Sequence, residues 1–318
     1  MFDITALGEI LIDFTPVETA SGKRTFEENP GGAPANLLAT VAKFGGKTAF
    51  IGKVGKDMFG ESLKNVLIEN GIDTTGLVVD DVHNTTLAFV ALDQSGDRSF
   101  SFYRNFGADI FLNKDEVPED IIRSSKIFHF GTLSLTDEPA KTATDFALET
   151  AKDSCCTITF DPNYRPMLWK SEKAAIDMMR KYVPYADIIK FSKEEIQMVT
   201  GKTDISESIK AVTDMGVTLV LVTDGGNGVN FGTKDYHGFV PSLKVNTVDT
   251  TGAGDIFFGT FLYEYIKSGK GKMTFTQEDI EAFVRKAVTI SGLSTLKKGA
   301  IPSIPDYNSQ ADIKGCAV

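Results

Sequence analysis

Asp249-Thr-Thr-Gly-Ala-Gly-Asp255 runs a glycine-rich turn into an apolar-periodic segment and delivers a carboxylate into that segment's first turn. Phe257, Phe258, Phe261, Leu262 and Tyr265 then recur at the spacing of one buried helix face. The turn therefore ends at a helix N-terminus. There the backbone N–H groups of Gly252, Ala253 and Gly254 lack partners within the helix and can converge on an anion, helped by the positive end of the helix dipole. Small residues let a phosphate come close. A carboxylate beside such a cradle would repel a ligand that is merely bound, so Asp255 reads as a base for an incoming hydroxyl. The pair then does phosphoryl transfer to an alcohol. Taken alone, Asp255 also fits an acidic residue favoured by the helix dipole, and Thr250-Thr251-Gly252 an ordinary turn.

A second turn, Asn29-Pro-Gly-Gly-Ala-Pro-Ala-Asn36, repeats the pattern. Gly31 and Gly32 bring backbone close to a ligand, and Leu37, Leu38, Val41 and Ala42 follow as a helix face that Gly45 ends. Asn36 offers a donor and an acceptor, which suits a sugar hydroxyl, or it caps the helix. Asp13, at the end of the first strand, can accept two hydroxyl protons, or it forms a turn. Arg165 in Asp161-Pro-Asn-Tyr-Arg165 and Arg104 in Phe102-Tyr-Arg104 can each clamp a phosphate or a substrate oxygen, or serve as a surface ion-pair partner. Ser192-Lys-Glu-Glu195 opens a helix, where Glu195 either organises water around magnesium or closes a capping box. Thr223-Asp-Gly-Gly-Asn-Gly228 is a turn whose small residues, Gly225 and Gly228 among them, admit a nucleotide.

Short β-rich runs alternate with longer helical patterns: Ile4 to Ile12, a helix from about Pro34, Thr48 to Ile51, a helix from about Phe59. This is an α/β chain with a mainly parallel sheet. The runs Lys126 to Phe130, Thr157 to Phe160, Ile188 to Phe191 and Val217 to Val222 read as apolar strands covered on both faces. Residues 14–31 and 84–105 break the alternation and read as half-buried strands of a small accessory sheet over the site, whose exposed edge or face favours a dimer. No linker or internal repeat divides residues 1–318, so one domain is expected.

The 318 residues are 42% hydrophobic, ample for a continuous core, and a net charge of −10 argues against nucleic acid as a principal partner. Cys155, Cys156 and Cys316 form neither a disulfide framework nor a zinc spacing, which fits a reducing cytoplasm. Cys316 also fails the C-terminal prenylation pattern. Asp3 and Glu9 interrupt any signal peptide, and no apolar run has membrane-spanning length, so no membrane partner is expected. His83, His129 and His237 are not paired at metal-ligand spacing. Neither a P-loop nor the protein-kinase H-R-D and D-F-G elements occur.

Gly31-Gly-Ala-Pro-Ala-Asn36 with Gly52-Lys-Val-Gly-Lys-Asp57, and Asp249-Thr-Thr-Gly-Ala-Gly-Asp255, together resemble the two signatures of the PfkB/ribokinase family of sugar kinases. The resemblance runs from Gly8-Glu-Ile-Leu-Ile-Asp13 to Lys298-Gly-Ala-Ile-Pro-Ser303 and is strongest to the family's fructokinases. It implies a Rossmann-like αβα core with a β-sheet lid that often forms a dimer contact. Sugar is expected near Asp13, Gly32 and Asn36, and ATP between Thr223–Gly228 and the C-terminal helices. Asp255 becomes the base, the Gly252, Ala253 and Gly254 amides the anion hole, and magnesium bridges the nucleotide phosphates. Many relatives also use a monovalent cation, which puts Asp249, Thr251, Ser294, Lys297, Gly299 and Ser303 around potassium, largely through their backbone carbonyls. The chain departs from the family's Asn-x-x-Glu in having Ser192 at the first position. The expected activity is ATP-dependent phosphorylation of fructose on its 6-hydroxyl. The alternatives are a 2-keto-3-deoxygluconate kinase, with Arg104 and Arg165 on the substrate carboxylate, and a non-catalytic sugar sensor, whose mark would be loss of Asp255 or of the glycine turn.

Overall fold

The computed structural model describes residues 1–18, 24–92 and 98–309. Cys316 and parts of the two accessory-sheet ranges, 19–23 and 93–97, lie outside these. The strands in chain order are β1 (Phe2–Leu7), β2 (Leu11–Glu18), β3 (Arg24–Gly31), β4 (Thr48–Gly55), β5 (Ile72–Asp80), β6 (Leu87–Leu92), β7 (Arg98–Tyr103), β8 (Ser125–Gly131), β9 (Thr157–Asp161), β10 (Ile188–Ser192), β11 (Leu219–Thr223), β12 (Gly228–Gly232) and β13 (His237–Pro241). The helices are α1 (Ala33–Lys43), α2 (Met58–Glu69), α3 (Glu119–Arg123), α4 (Ala140–Asp153), α5 (Glu172–Tyr182), α6 (Lys193–Thr200), α7 (Ile205–Thr213), α8 (Ala253–Lys267) and α9 (Gln277–Ser294).

Nine strands form one sheet in the order β13-β12-β11-β10-β9-β8-β1-β4-β5. It is parallel from β11 to β5; the β11–β12 and β12–β13 pairings are antiparallel, so β12 alone runs against the other eight. Side chains alternate between two apolar layers. Ile127, Ile188 and Leu219 join the layer built with α1, α2, α8 and α9, while Phe128, Ile189 and Val220 join the one built with α3 to α7. The expected αβα architecture follows from that alternation. One expectation needs correction: the central strands are covered on both faces but are not apolar throughout. His129, Asp161 and Lys190 occupy the positions of the alternation that face α8, all buried.

The continuous strand expected from Ile4 to Ile12 is also two strands. β1 ends at Leu7, the chain turns through Gly8-Glu9-Ile10, and β2 enters a separate four-stranded sheet ordered β3-β2-β6-β7. Asp13 is therefore a residue of this lid sheet, opposite Asn29 and Ala88, rather than the end of the first core strand. Phe14 stacks on Phe89 within the lid, ring centroids 4.9 Å apart, and meets Phe59 of α2 edge-on, so the lid is packed onto the core.

The crossing of α1 and α8 sets the site. α8 is apolar nearly all round because α1 and α9 flank it, and its buried face runs from Asp255 through Tyr265. At the crossing, Gly259 is so close to α1 that a Cβ there would stand 2.9 Å from both Leu37 O and Thr40 Cβ. Asn36 and Asp255 lie one turn toward the N-terminus of each helix and are brought face to face by that approach.

Candidate active site

The two glycine turns converge. Asn36 Nδ2 donates to Asp255 Oδ2 at 2.8 Å, while Asn36 Oδ1 is a buried acceptor with no hydrogen-bond partner among the described residues. Around this pair lies a cavity of about 340 Å³ walled by Glu9, Asp13, Gly32, Asn36, Phe102, Leu133, Arg165, Gly252 and Asp255. A second cavity, of about 390 Å³, is walled by Thr223, Gly225, Gly226, Gly228, Lys244, Ala253, Gly254, Phe257 and Ser291. Thr250 lines both, so the Thr250–Gly254 turn is the partition between them. Gly252 heads α8 in the left-handed conformation, φ 72°, and a side chain there would strike Ala300.

Several expected residues take other places. Gly31 is absent from the first cavity's wall; a Cβ on it would overlap the Asp13 carboxylate, so its smallness makes room for Asp13. Ala253 N–H already donates to Thr250 O at 3.2 Å, which reduces the three-amide cradle to Gly252 and Gly254. Arg104 is 6% exposed, with Nε on Asp109 Oδ2 at 2.7 Å, Nη1 on Thr136 Oγ1 at 2.8 Å and Nη2 on Leu133 O at 2.8 Å. Its guanidinium is thus committed to the protein and is not among the groups lining the cavity; of its two readings the structure contains the ion pair, buried rather than at the surface. Arg165 does line it, and among the described residues its own hydrogen bonds go only to the carbonyls of Asn163 and Tyr164.

Of the two readings of Ser192-x-x-Glu195, the structure contains the capping box. Ser192 Oγ accepts Glu195 N–H, Glu195 Oε2 accepts Ser192 N–H, and Oε1 accepts Tyr164 N–H at 2.7 Å. Ser192 stands beside Thr223 in the β10–β11 register but outside the wall of the second cavity. Of the six residues expected around potassium, Asp249 and Thr251 lie in the turn before α8, Ser294 ends α9, and Lys297, Gly299 and Ser303 follow it. Asp249 accepts the N–H groups of Thr251 and Gly299, Lys297 N–H donates to Ser294 O, and Ser303 Oγ donates to Ala300 O. The side chains of Asp249, Thr251, Ser294 and Ser303 present oxygen and no sulfur or imidazole, the donor chemistry of a hard cation.

Lys190 went unnoticed in the sequence because it sits in an apolar strand. Its Nζ donates to Asp161 Oδ2 at 2.8 Å, and a Cβ on Gly254 would stand 3.1 Å from that nitrogen, so a buried ammonium supports the anion turn from behind. Burial alone would lower Lys190, but the carboxylates of Asp161, Glu195 and Asp255 hold its pKa up. Burial and the nearby Asp161 charge raise Asp255 to about 6, against the opposing pull of Lys190, the Asn36 hydrogen bond and Arg165. Burial also pushes Glu9 up to about 7 and His129 down to about 4, which leaves the histidine neutral against Phe258. The site therefore pairs a carboxylate poised near neutrality with an anion-binding turn, the constellation of a phosphotransferase acting on an alcohol.

Residues 1–307 match the model of the pfkB family carbohydrate kinases, and the chain belongs to that family. It is 39% identical over 308 residues to fructokinase-1 of Zea mays, covering 95% of this chain and 94% of that protein. Among solved structures it is similar to a Xylella fastidiosa fructokinase with bound ATP (TM-score 0.87, 32% identity, 95% of each chain covered). It is similar as well to a double-mutant fructokinase of Vibrio cholerae O395 in its fructose-, ADP- and potassium-bound form (TM-score 0.87, 31% identity, 99% of this chain and 98% of that one). Among the described residues no helix is long and apolar enough to cross a membrane.

Proposed function

We propose that the chain works as a single cytoplasmic kinase domain that transfers the γ-phosphate of ATP to the 6-hydroxyl of D-fructose. The observation that carries this reading is Asp255 on the floor of one cavity, held by Asn36, with the Gly252–Gly254 turn opening into the next. Fructose occupies the first cavity. Its hydroxyls donate to Asp13 and to the unpartnered Asn36 Oδ1, and Arg165 donates to a substrate oxygen. ATP occupies the second, its phosphates reaching the turn that the cavities share.

As the fructose oxygen bonds to the γ-phosphorus, the bond from that phosphorus to the β-bridging oxygen breaks and ADP leaves. The hydroxyl proton passes to Asp255, while the amides of Gly252 and Gly254 and the Lys190 charge behind them stabilise the phosphoryl oxygens. Magnesium, when bound, neutralises nucleotide phosphate charge. No group of three or more metal-ligating side chains exists among the described residues, which suits an ion carried in on phosphates. Potassium at the paired loops around Asp249 and Gly299 would brace the anion turn. The lid supports a homodimer, because Val17 and Phe26 of its β2–β3 hairpin are more than a third exposed.

The competing substrate, 2-keto-3-deoxygluconate, needs a cation for its carboxylate. With Arg104 bound to Asp109, Arg165 is the cationic residue in the cavity wall, against Glu9, Asp13 and Asp255. Coupled measurement of ADP release with fructose, ribose, glucose and 2-keto-3-deoxygluconate tests the reading. Fructose should give the highest kcat/KM, and Asp255→Asn should lower its kcat by about two to four orders of magnitude with ATP affinity retained. Preference for the sugar acid, or near-normal turnover of Asp255→Asn, overturns it.

A further inference from the structure

Glu9 lies in the Gly8–Ile10 turn where the chain leaves the core sheet for the lid, and it is 4% exposed. Its Oε1 accepts the N–H of Ala33 at 3.0 Å. Ala33 is the first residue of α1, whose N-cap, Gly32, has φ 111° and brings no capping side chain. Pro34 has no N–H, so Ala33 and Ala35 are the donors of that first turn, and Glu9 holds one of them from 24 residues away. Neither the helix nor its flanking turn supplies this anchor.

The position of α1 matters beyond its stability. Asn36, on the same first turn, holds Asp255 at 2.8 Å, and Gly32 is packed so tightly under Glu9 that a Cβ on it would meet Glu9 O at 2.5 Å. A shift of the helix end therefore moves Asn36 relative to the base and changes the acceptor cavity that Glu9 also lines. We propose that Glu9 is a positioning residue for phosphoryl transfer: by holding the first amide of α1 it sets Asn36 against Asp255. The inference rests on Asp255 acting as the base.

The test is a mutant cycle in the full chain, read by coupled ADP release with fructose. Glu9→Ala should lower kcat about ten- to a hundredfold, the scale of a misplaced reacting group, with KM for ATP unchanged. Glu9→Gln keeps an acceptor oxygen at the same reach and should restore kcat to within about threefold. In an Asn36→Ala background, Glu9→Ala should cost less than about twofold, because a residue acting through Asn36 has nothing left to position. Equal losses in Glu9→Ala and Glu9→Gln, or full additivity with Asn36→Ala, overturn the proposal. If Glu9→Ala does not fold, Glu9→Asp, which withdraws the carboxylate from Ala33 by one methylene, should show the same kcat loss; wild-type kcat there overturns it too. Asp255→Asn in the same assay separates the two readings. Retained turnover in that variant ends both, whereas its collapse beside an unaffected Glu9→Ala ends only this one.

Discussion

Gly259 of α8 faces Thr40 of α1 with no space for a Cβ, which would approach the Thr40 Cβ and the Leu37 carbonyl to 2.9 Å each. Thr40 Oγ1 in turn donates to Asn36 O, so the contact is tied to the turn that carries the active-site amide. Gly259→Ala must push the helices apart or bend one of them. The expected cost is about 1–3 kcal/mol of stability, the usual scale of overpacking. The kcat should fall more than stability alone requires, because the Asn36–Asp255 contact opens. Urea unfolding and steady-state kinetics on the same variant check both; a destabilised variant with unchanged kcat would show that the crossing does not set the base.

The raised pKa of Asp255 makes two predictions of opposite sign. A base must be ionised, so kcat/KM should rise with pH through about 6 and level off above it. Stability runs the other way. The folded value of about 6 exceeds the ordinary 3.8, so between those values the native state binds more protons than the unfolded one. The stabilising contribution is complete below 3.8 and is lost as pH rises through 6. At pH 7 the wild type carries the full cost of a buried carboxylate, and Asp255→Asn should be the more stable protein by about 1–3 kcal/mol. Thermal melts at pH 4.5 and 7.5 should show the gap widening with pH; a variant equally or less stable at both would contradict the burial of that charge.

Features encoded by neighbouring residues were legible in the sequence. The turn before α8, the turn before α1 and the glycines after β11 each announce themselves within about seven residues, and Asn36 and Asp255 were readable from them. What escaped was decided by distant pairing. Lys190 looks like an intrusion in an apolar strand until Asp161 is placed beside it by the β9–β10 pairing. Glu9 is one residue of an apparent long strand until the chain is seen to change sheets there. Gly259 falls inside a helix where glycine is unfavourable, and only the α1 crossing explains it. Arg104 was legible as a substrate clamp or a surface ion-pair partner, yet its partner Asp109, five residues on, claims it in a buried pair through a turn whose course the spacing does not specify.

That claim separates the two arginines experimentally. Asp109 is 7% exposed and binds Arg104 Nε, with Thr86 Oγ1 on its other oxygen. Removing Arg104 leaves a buried carboxylate without its counter-ion, a loss of about 3–5 kcal/mol. Arg165 is half-buried, among the described residues bonds only the carbonyls of its own turn, and helps hold Asp255 ionised. Arg165→Ala should therefore leave the melting temperature within about 2 °C of wild type. It should raise KM for the sugar and move the acid limb of kcat/KM to higher pH as a cation is withdrawn from the base. Arg104→Ala should do the reverse, with a melting temperature lower by about 6–15 °C and a smaller change in KM at temperatures where the protein stays folded. An Arg104→Ala protein that melts like wild type but binds sugar poorly would return that guanidinium to the substrate and restore the sugar acid as a competitor to fructose.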